Sequence, residues 1–502
     1  MPKAIVIGSG FAGISTASFL ARDGWDVVVL EKHTMPGGRA RKMEVDGFTF
    51  DMGPSWYWMT DIFERYFNRF GKKVSDYYEL IRLDPSYRVY FKDEALDIPA
   101  DYASLKALFE KIEPGSGKQL DRFMSEAAYK YQVGINKLVY KPGRSLTEFI
   151  DKDLLLGLFR LDVFTSISSH VRRFFKDSRL VELMEFPVLF LGALPQNIPA
   201  LYSLMNYADI QLGTWYPKGG MYKIVEGMVS LAEELGVRFL YNTEVKEIVA
   251  KNGKVKEVLS NNGTFEADVV ISGADYHHTE QDLLQKTDQS YSQSYWDKRV
   301  MAPSCLLYYV GLNKKLNSVP HHSLFFDTDF SVHGKEIYTT KEWPSDPLFY
   351  VSVTTVTDTA GAPQGGENMF FLIPVAAGLE GDTEELRVKY FESILQRFEA
   401  RTGENIREHI VYKKSYSVSD FKQDYHAFKG NAYGLANTLL QTSILKPSCR
   451  SKKVSNLFYT GQLTVPGPGV PPSLISGEVV AGEVKKYFST TKKLTAYDPA
   501  FS

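Results

Sequence analysis

The fold is decided close to the start of the chain, by residues 3–31, KAIVIGSGFAGISTASFLARDGWDVVVLE. The apolar residues 4–7 predict a buried strand that leads into the glycine loop 8–13 (GSGFAG). A helix rich in Ala and Ser follows to about Asp23, and Gly24 is placed to end it. Residues 27–30 predict the next buried strand, which closes with Glu31. This order of strand, glycine loop, helix, strand and acid predicts a βαβ dinucleotide-binding unit.

Each glycine of the loop has its own task in such a unit. Gly8 permits the tight turn, Gly10 lets the backbone approach a diphosphate, and Gly13 lets the helix pack closely on the strand. The helix N-terminus offers free N–H groups and a positive dipole end to the diphosphate. Glu31 lies 18 residues after Gly13, which suits a carboxylate that binds ribose hydroxyls. A glycine-rich turn without a ligand is the alternative, and the complete βαβ context argues against it.

Two further glycine-rich stretches extend the expected site. Residues 37–39 (GGR) suit a second close approach to the diphosphate, with the Arg39 guanidinium adding positive charge. No second Gly-x-Gly-x-x-Gly occurs in the sequence, so a separate nicotinamide-binding domain is not expected. The Gly- and Pro-rich run 461–472 precedes a predicted helix and suits a helix N-terminus held against a ligand. A stiff loop that only reverses the chain explains this last run equally well.

Composition excludes several classes of protein. A chain of 502 residues has room for two or three domains, at roughly 100–200 residues each. With 58 basic and 60 acidic residues it is not a globally basic nucleic-acid binder, and no nucleic-acid partner is expected. The aromatic content of 14% indicates either ordinary core packing or a long apolar binding site. Two cysteines, Cys305 and Cys449, are too few for a disulfide framework or a cysteine-ligated metal site.

The nine histidines show neither metal-ligand nor catalytic-triad spacing, so no metal site is expected. His277-His278 and His321-His322 are tandem pairs whose side chains diverge on a helix or a strand. We interpret both pairs as surface residues.

The pattern of predicted helices and strands divides the chain into five pieces. Residues 1–100, 218–290 and 450–490 have α/β texture and predict one discontinuous cofactor-binding domain. The insertions 101–217, which is mostly helical, and 291–449 predict a substrate-binding domain. Within these pieces we expect strands at 245–250, 255–259, 264–267, 306–311, 348–355, 369–374 and 457–460, and helices at about 221–235, 383–400 and 473–487.

Four motifs together resemble a known family. They are residues 37–39 (GGR), 51–56 (DMGPSW), 218–221 (KGGM) and 466–471 (PGPGVP). With the opening βαβ unit, they resemble the bacterial carotenoid desaturases of the phytoene-desaturase type, over essentially the whole chain. The resemblance implies FAD as cofactor and an α/β fold. That fold is an FAD-binding Rossmann-like domain of the amine-oxidase/glutathione-reductase type plus an inserted substrate domain with a sheet and a helical lid.

The resemblance also implies cofactor-binding residues. On the ADP side these are Gly8, Gly10, Gly13, Glu31, Lys32, Gly38 and Arg39. On the flavin side they are Gly53, Pro54, Ser55, Gly461, Val470 and Pro471. Val245 is expected to contact the adenine side through its backbone.

The implied substrate is a C30–C40 polyene taken from a membrane, from which a hydride goes to the flavin and an adjacent proton is lost. Because the resulting cation is delocalised, a weak base or water suffices, and no catalytic acid–base pair is predicted. We expect Trp56, Trp58 and Trp215 to line a long apolar tunnel, with ordinary core packing as the alternative. Oxygen or a membrane quinone is the expected electron acceptor.

We expect a cytoplasmic protein held peripherally on a membrane. No apolar run approaches the roughly 18 residues that a spanning helix needs, and the first strand leaves no room for a signal peptide. The helical segment 145–195 is predicted to face the membrane through cations, with a solvated helix face as the alternative. These cations are Arg160, Arg172, Arg173, Lys176 and Arg179.

Phytoene is the first substrate that the resemblance suggests. A 1-hydroxycarotenoid 3,4-desaturase or a C30 dehydrosqualene desaturase would share the same motifs. Further alternatives are a carotenoid isomerase, a flavin amine oxidase and a prenyl-lipid carrier without enzymatic activity. The intact glycine loop and the Gly38-Arg39 pair argue against the carrier.

Overall fold

The computed structural model describes residues 1–145, 148, 161–438 and 441–496. In this part of the chain the strands are β1 (Lys3–Ile7), β2 (Asp26–Leu30), β3 (Lys42–Val45), β4 (Phe48–Asp51), β5 (Leu80–Arg82), β6 (Tyr87–Phe91), β7 (Ala95–Ile98), β8 (Trp215–Pro217), β9 (Arg238–Leu240), β10 (Val245–Lys251), β11 (Lys254–Ser260), β12 (Gly263–Phe265), β13 (Val269–Ser272), β14 (Ser304–Leu312), β15 (His322–Phe326), β16 (Phe349–Val353), β17 (Glu367–Val375), β18 (Ile410–Tyr416) and β19 (Leu457–Tyr459). The helices of eight or more residues are α1 (Phe11–Arg22), α2 (Thr60–Asn68), α3 (Tyr102–Ile112), α4 (Ser116–Val133), α5 (Ile167–Phe174), α6 (Ser178–Glu185), α7 (Tyr222–Glu234), α8 (Glu384–Thr402), α9 (Val418–Tyr425) and α10 (Val470–Ala496).

Five strands form a parallel sheet in the order β19-β13-β1-β2-β9. Ile5 of β1 pairs with Val28 on one side and Val270 on the other. Central strands of this kind are buried on both faces, which explains their unbroken Val and Ile runs. Helices α1 and α10 can pack closely because residue 477 is a glycine, and a Cβ at this position would overlap Ser15. The Ser15 hydroxyl donates to the Leu474 carbonyl at 2.8 Å. The predicted βαβ unit is confirmed.

Strands β10, β11 and β12 form a separate antiparallel meander. The turn between β10 and β11 has positive φ at both Asn252 (52°) and Gly253 (69°), as a type I′ hairpin requires. The three strands predicted at 245–250, 255–259 and 264–267 are therefore present, with ends shifted by one or two residues.

The second large sheet has seven strands in the order β18-β14-β17-β16-β15-β6-β7. Neighbours run antiparallel except β15 and β6, which pair in parallel. Alternate side chains of its strands face opposite sides, as the pleat dictates. On β17, Phe371 packs on Phe391 of α8, whereas Phe370 and Leu372 line a cavity on the other side. This sheet is the base of the inserted domain, and it confirms the predicted α/β architecture.

Strands β6 and β7 change the expected division of the chain. They lie within residues 1–100, which we grouped with the cofactor-binding domain, yet they pair with each other and with β15 of the seven-stranded sheet. We therefore place the first boundary before Tyr87. The boundary follows from the hydrogen bonding of β6 to β15, which lies more than 200 residues later in the chain. The local sequence pattern does not show this pairing.

The interpretation of His321 and His322 as surface residues is wrong. Their exposed fractions are 3% and 0%, because His322 opens β15 in the interior. The His321 ring packs on Tyr216 at a centroid distance of 4.6 Å. The His322 ring stacks on Trp56 at 4.1 Å, with 17° between the planes.

Helices α3 to α6 form the helical layer of the first insertion. Their apolar faces meet in an aromatic cluster in which Phe123 contacts Phe174 edge-on at 5.4 Å. Of the predicted membrane-facing segment 145–195, residues 146, 147 and 149–160, including Arg160, lie outside the described residues. Among the described helices, none is long and apolar enough to cross a membrane.

Candidate functional site

One cavity of about 490 Å³ joins the carboxyl ends of the parallel strands to the inner face of the seven-stranded sheet. Its volume is within the roughly 300–1,000 Å³ typical of small-molecule sites. Residues of the glycine loop line one end, and apolar side chains of β14 to β17 line the other. The location matches the rule that open α/β sheets bind ligands beyond the carboxyl ends of their strands.

The glycines of the loop differ in role: one is needed for packing, and two line the cavity. A Cβ at Gly13 would overlap the carbonyl oxygen of Gly8, so the α1–β1 turn needs a glycine there. A Cβ at Gly10 would meet no atom within 4 Å, because Gly10 borders the open cavity. Gly8 also lines the cavity, whereas Gly13 does not. The arrangement fits a close approach of a diphosphate at Gly10, against the N-terminus of the 12-residue helix α1.

The second glycine pair reaches the same place. The Gly37 amide donates to the Ser9 carbonyl at 2.8 Å, which ties the two loops together. Gly38 has a φ of 55°, and a Cβ on it would lie 3.3 Å from the Cα of Gly10. Glycine at position 38 therefore suits both the left-handed backbone and the close contact.

Arg39 places a positive charge inside the cavity wall. Its guanidinium lies 5.2 Å from the Tyr425 ring centroid and donates to the Asn431 carbonyl at 3.3 Å. With its carboxamide oxygen turned inward, Gln462 accepts from Arg39 Nη2 at 3.1 Å. Burial lowers the pKa of Arg39, and its Nε has no hydrogen-bond partner among the described residues. Phosphate oxygens would satisfy such a donor.

Glu31 and its neighbours lie beside the first glycine loop, where the resemblance places the adenosine. The Glu31 carboxylate is buried and accepts from the Ser9 amide at 2.8 Å and the Ser9 hydroxyl at 2.6 Å. Its second oxygen accepts from the His33 amide at 2.9 Å. Lys32 and Val245 line the cavity beside it. A carboxylate has about four lone-pair sites, so Glu31 keeps capacity for ribose hydroxyls.

The C-terminal loop brings a second helix N-terminus to the cavity. Val470 and Pro471, in the first turn of the 27-residue helix α10, line it together with Gly461. The Ser476 hydroxyl accepts from the Gly461 amide at 2.9 Å and thereby fixes the loop. Two helix dipoles thus point their positive ends at one cavity, which favours a ligand that carries negative charge.

Gly53, Pro54 and Ser55 line the cavity next to Arg39. A Cβ at Gly53 would overlap the Arg39 carbonyl oxygen, so this segment packs directly on the second glycine loop. This position agrees with the expectation that the three residues border the reactive part of the cofactor.

The far half of the cavity is apolar. Its walls carry Trp56, Trp58, Phe186, Leu189, Leu191, Met205, Leu307, Leu324, Phe326, Phe330, Ile337, Leu348, Phe349, Phe370 and Leu372. Trp215, which we also expected there, is not among the lining residues. Its indole donates to the Leu212 carbonyl at 2.9 Å and lies against Arg82, because β8 pairs with β5 at the edge of the molecule's core.

Several residues of the cavity were not singled out from the sequence. Asp275 follows β13 and lines the cavity near Arg39, where burial raises its pKa and Arg39 opposes that effect. Its carboxylate accepts from the Phe428 amide at 3.1 Å. Asp275 follows the predicted strand 269–273 by two residues. Its place after the carboxyl end of a strand could therefore have been recognised from the sequence. Tyr425 and Gln462 offer no such signal, because the chain brings them to Arg39 only by folding.

One group of possible metal ligands lies elsewhere, at Glu126, Asp162 and His170. The buried ammonium of Lys130 lies 3.1 Å from Asp162 Oδ2 and 3.3 Å from His170 Nε2. It already supplies the positive charge at that position.

The residues present fit FAD. The cavity offers two glycine-rich approaches, two helix N-termini, a buried arginine with an unpaired donor and a carboxylate at the adenosine end. When bound, FAD supplies a two-electron acceptor for a hydride. The residues around it would hold the diphosphate, exclude water from the apolar half and orient a substrate there.

Comparisons with known proteins agree with this geometry. A profile of the family described as flavin containing amine oxidoreductase matches residues 11–485. A carotenoid 3,4-desaturase of Haloarcula japonica is 42% identical over 95% of this chain and 96% of its own. A zeta-carotene-forming phytoene desaturase of Myxococcus xanthus is 31% identical over 95% and 93%. An oxidoreductase of Methanosarcina mazei shares the fold, with a TM-score of 0.61 at 16% identity over 96% of this chain and 100% of that one. The chain therefore belongs to the flavin containing amine oxidoreductases, among the carotenoid desaturases, and uses FAD as its cofactor.

Proposed function

We propose that this chain desaturates the C3–C4 bond of a carotenoid. The observation that carries the proposal is the single cavity that joins the dinucleotide end to a long apolar half. The position of the bond rests on the higher identity to the carotenoid 3,4-desaturase, 42%, than to the phytoene desaturase, 31%. Phytoene desaturation is the second candidate, and the relative from Myxococcus xanthus favours it.

The apolar half suits a hydrocarbon. Each buried CH₂ group contributes about 0.8 kcal/mol, so a polyene binds through many weak contacts without a polar anchor. The polar side chains of this half are already engaged. The Tyr338 hydroxyl donates to the Leu189 carbonyl at 3.1 Å, and both ring nitrogens of His333 lie 3.0 Å from backbone partners. Acids among the described lining residues, such as Glu31 and Asp275, lie at the dinucleotide end, which argues against recognition of an amine.

The test is pigment analysis in three hosts that make phytoene, lycopene or a 1-hydroxylated acyclic carotenoid, each with and without this protein. We expect a product lacking one H₂ at C3–C4, and absorption at longer wavelength, in the second or third host. Conversion of phytoene alone would move the proposal to its second candidate. Unchanged pigment in all three hosts, with FAD-loaded protein present, would refute the proposal.

We propose that the substrate enters from an anionic lipid surface through a second cavity of about 930 Å³. It shares Pro303, Ile337 and Tyr338 with the walls of the first cavity. Near its rim the Phe164 side chain is 89% exposed and that of Val300 is 43% exposed. Among the described lining residues there is no acid, and four are cationic, namely Arg173, Arg299, Lys341 and Lys429.

This surface shares Arg173 with the predicted cationic segment, but its other cations come from elsewhere in the chain. Arg172 pairs with Glu185, and Arg179 pairs with Asp177 at 2.6 Å, so both charges are neutralised within the protein. Each cation near an anionic membrane contributes about 1 kcal/mol. Reversing both Arg173 and Lys341 to Glu should therefore weaken binding to phosphatidylglycerol vesicles at least roughly 30-fold.

A double variant with Lys254→Glu and Lys256→Glu, on β11 far from this rim, serves as the matched control and should bind as the unaltered protein does. Vesicle co-sedimentation measures both. Equal binding by the two double variants, or equal binding to phosphatidylcholine vesicles, would contradict the proposed entry.

Oxygen or a membrane quinone remains our proposal for the electron acceptor. Stopped-flow mixing of photoreduced enzyme with oxygen or with a water-soluble quinone compares the two rates of flavin reoxidation. A rate with both acceptors slower than turnover would refute this pair of acceptors.

A further inference from the structure

Tyr350 is one of the polar side chains in the apolar half of the cavity. It lies on β16 and lines the cavity, as does Ser55, and its hydroxyl has the side chains of Ser352 and Ser55 as further polar neighbours. The Tyr350 Oη is 2.7 Å from Nδ1 of His322 on the adjacent strand β15. Burial raises the pKa of Tyr350, so the hydroxyl is protonated at neutral pH.

His322 lies directly behind this hydroxyl and is fully buried. Its Nε2 has no hydrogen-bond partner among the described residues. Burial holds the pKa of His322 well below its ordinary value of 6.5, so the ring is neutral and weakly basic, and only a strongly acidic proton, such as one next to a polyene cation, would protonate it. The neighbouring His321 has a pKa lowered to about 3 by burial and therefore adds no positive charge.

We propose that Tyr350 accepts the proton that the substrate loses, while its own hydroxyl proton moves to Nδ1 of His322. This inference rests on the proposed function. Two C–H bonds break. The hydride leaves with its electron pair to the cofactor, and the electron pair of the adjacent C–H bond forms the new C=C bond. The proton of that second bond goes to Tyr350 Oη, and the former Oη proton makes His322 an imidazolium. After the product leaves, the lowered pKa of His322 favours the reverse transfer, and the proton returns through Tyr350 Oη to water in the cavity.

The charge balance makes this relay feasible in an apolar cavity. A polyene cation and a neutral imidazole become a neutral alkene and an imidazolium, so no new charge is created in the low-dielectric interior. Trp56 stacks on His322 at a centroid distance of 4.1 Å, within the roughly 6 Å over which an aromatic face attracts a cation. Because a delocalised cation makes the adjacent C–H bond strongly acidic, a weak base is sufficient. Trp56 thus stabilises the product charge as well as lining the cavity.

The test compares three variants in steady-state formation of desaturated carotenoid, with rates expressed per FAD-loaded molecule. Tyr350→Phe removes the acceptor atom. His322→Asn keeps a hydrogen-bond acceptor near Tyr350 but cannot take up a proton at neutral pH. His321→Asn, the matched control, makes the same change in the adjacent buried ring, which contacts Thr357 and not Tyr350.

We expect Tyr350→Phe and His322→Asn to lower the turnover rate by about 10²-fold or more, the usual effect of removing a general base, with KM and the flavin spectrum unchanged. His321→Asn should keep its rate. Full rates in both of the first two variants, or losses confined to KM, would overturn the relay. If the unaltered protein binds FAD but desaturates no carotenoid, the proposed function fails instead, and the two failures are thereby distinguished.

Discussion

The sharpest prediction concerns Gly10, where binding and folding can be separated. Its φ of −72° and ψ of 172° are open to any residue, and a Cβ there would meet no protein atom within 4 Å. Gly10→Val should therefore fold normally. Its side chain would instead occupy the space beside Gly38 through which the diphosphate must approach.

Overpacking of this kind costs about 1–3 kcal/mol at a closely packed contact, which corresponds to a roughly 5- to 150-fold rise in the Kd for FAD. We expect the purified Gly10→Val protein to lose its yellow colour during gel filtration. Fluorescence titration of the apoprotein with FAD gives the change in Kd, and thermal melting of the apoprotein should give an unchanged Tm.

Two other glycines complete the design. Gly13→Ala should lower the Tm of the apoprotein, because its Cβ would overlap the Gly8 carbonyl oxygen. Gly482→Ala, in the exposed interior of α10 with no atom within 4 Å of the new Cβ, should leave both Tm and FAD affinity unchanged or raise Tm slightly. A Gly10→Val protein with normal flavin content would refute the assignment of the diphosphate site.

Three further changes test other parts of the site. Arg39→Lys should weaken FAD binding about tenfold in titration, because an ammonium cannot reproduce the forked contacts of a guanidinium; equal affinity would contradict the role of Arg39. Trp56→Ala should raise the KM for carotenoid about tenfold or more and leave FAD content intact, whereas Trp215→Ala, outside the cavity, should not change KM; equal effects of the two would remove Trp56 from the substrate site. Burial raises the pKa of Asp51 from 3.8 to about 6, so its folded state holds the proton more tightly than the unfolded state. The stability of the unaltered protein relative to Asp51→Asn should then fall as pH rises from about 4 to about 6 in denaturant titrations, and a rise would contradict the shift.

The dinucleotide end was predictable because its signals are local. Glycines at 8, 10 and 13, the strands that flank them and Glu31 all lie within one βαβ unit, whose geometry follows from short-range spacing. Hairpins such as β10–β11 were predictable for the same reason, since the turn residues carry the required positive φ.

Other features depend on contacts between distant segments. Tandem histidines do not show whether they are buried, and only the pairing of β15 between β16 and β6 places His322 in the interior. Trp215 and Trp56 look alike in sequence, yet one is held at the β5–β8 pair and the other faces the cavity. The contact of Tyr350 with His322 spans 28 residues, and its approach to Ser55 spans almost 300.

The sequence by itself determined the FAD-binding unit and the α/β class, because these follow from local spacing and patterning. It also determined the resemblance to carotenoid desaturases, because each of the four motifs is a short continuous stretch. Only the tertiary structure decided which aromatic residues line the apolar half, which cations line the second cavity and that Tyr350 contacts His322. The physical reason is that a sheet brings together strands from remote parts of the chain, and the pleat then selects which alternate side chains face the cavity.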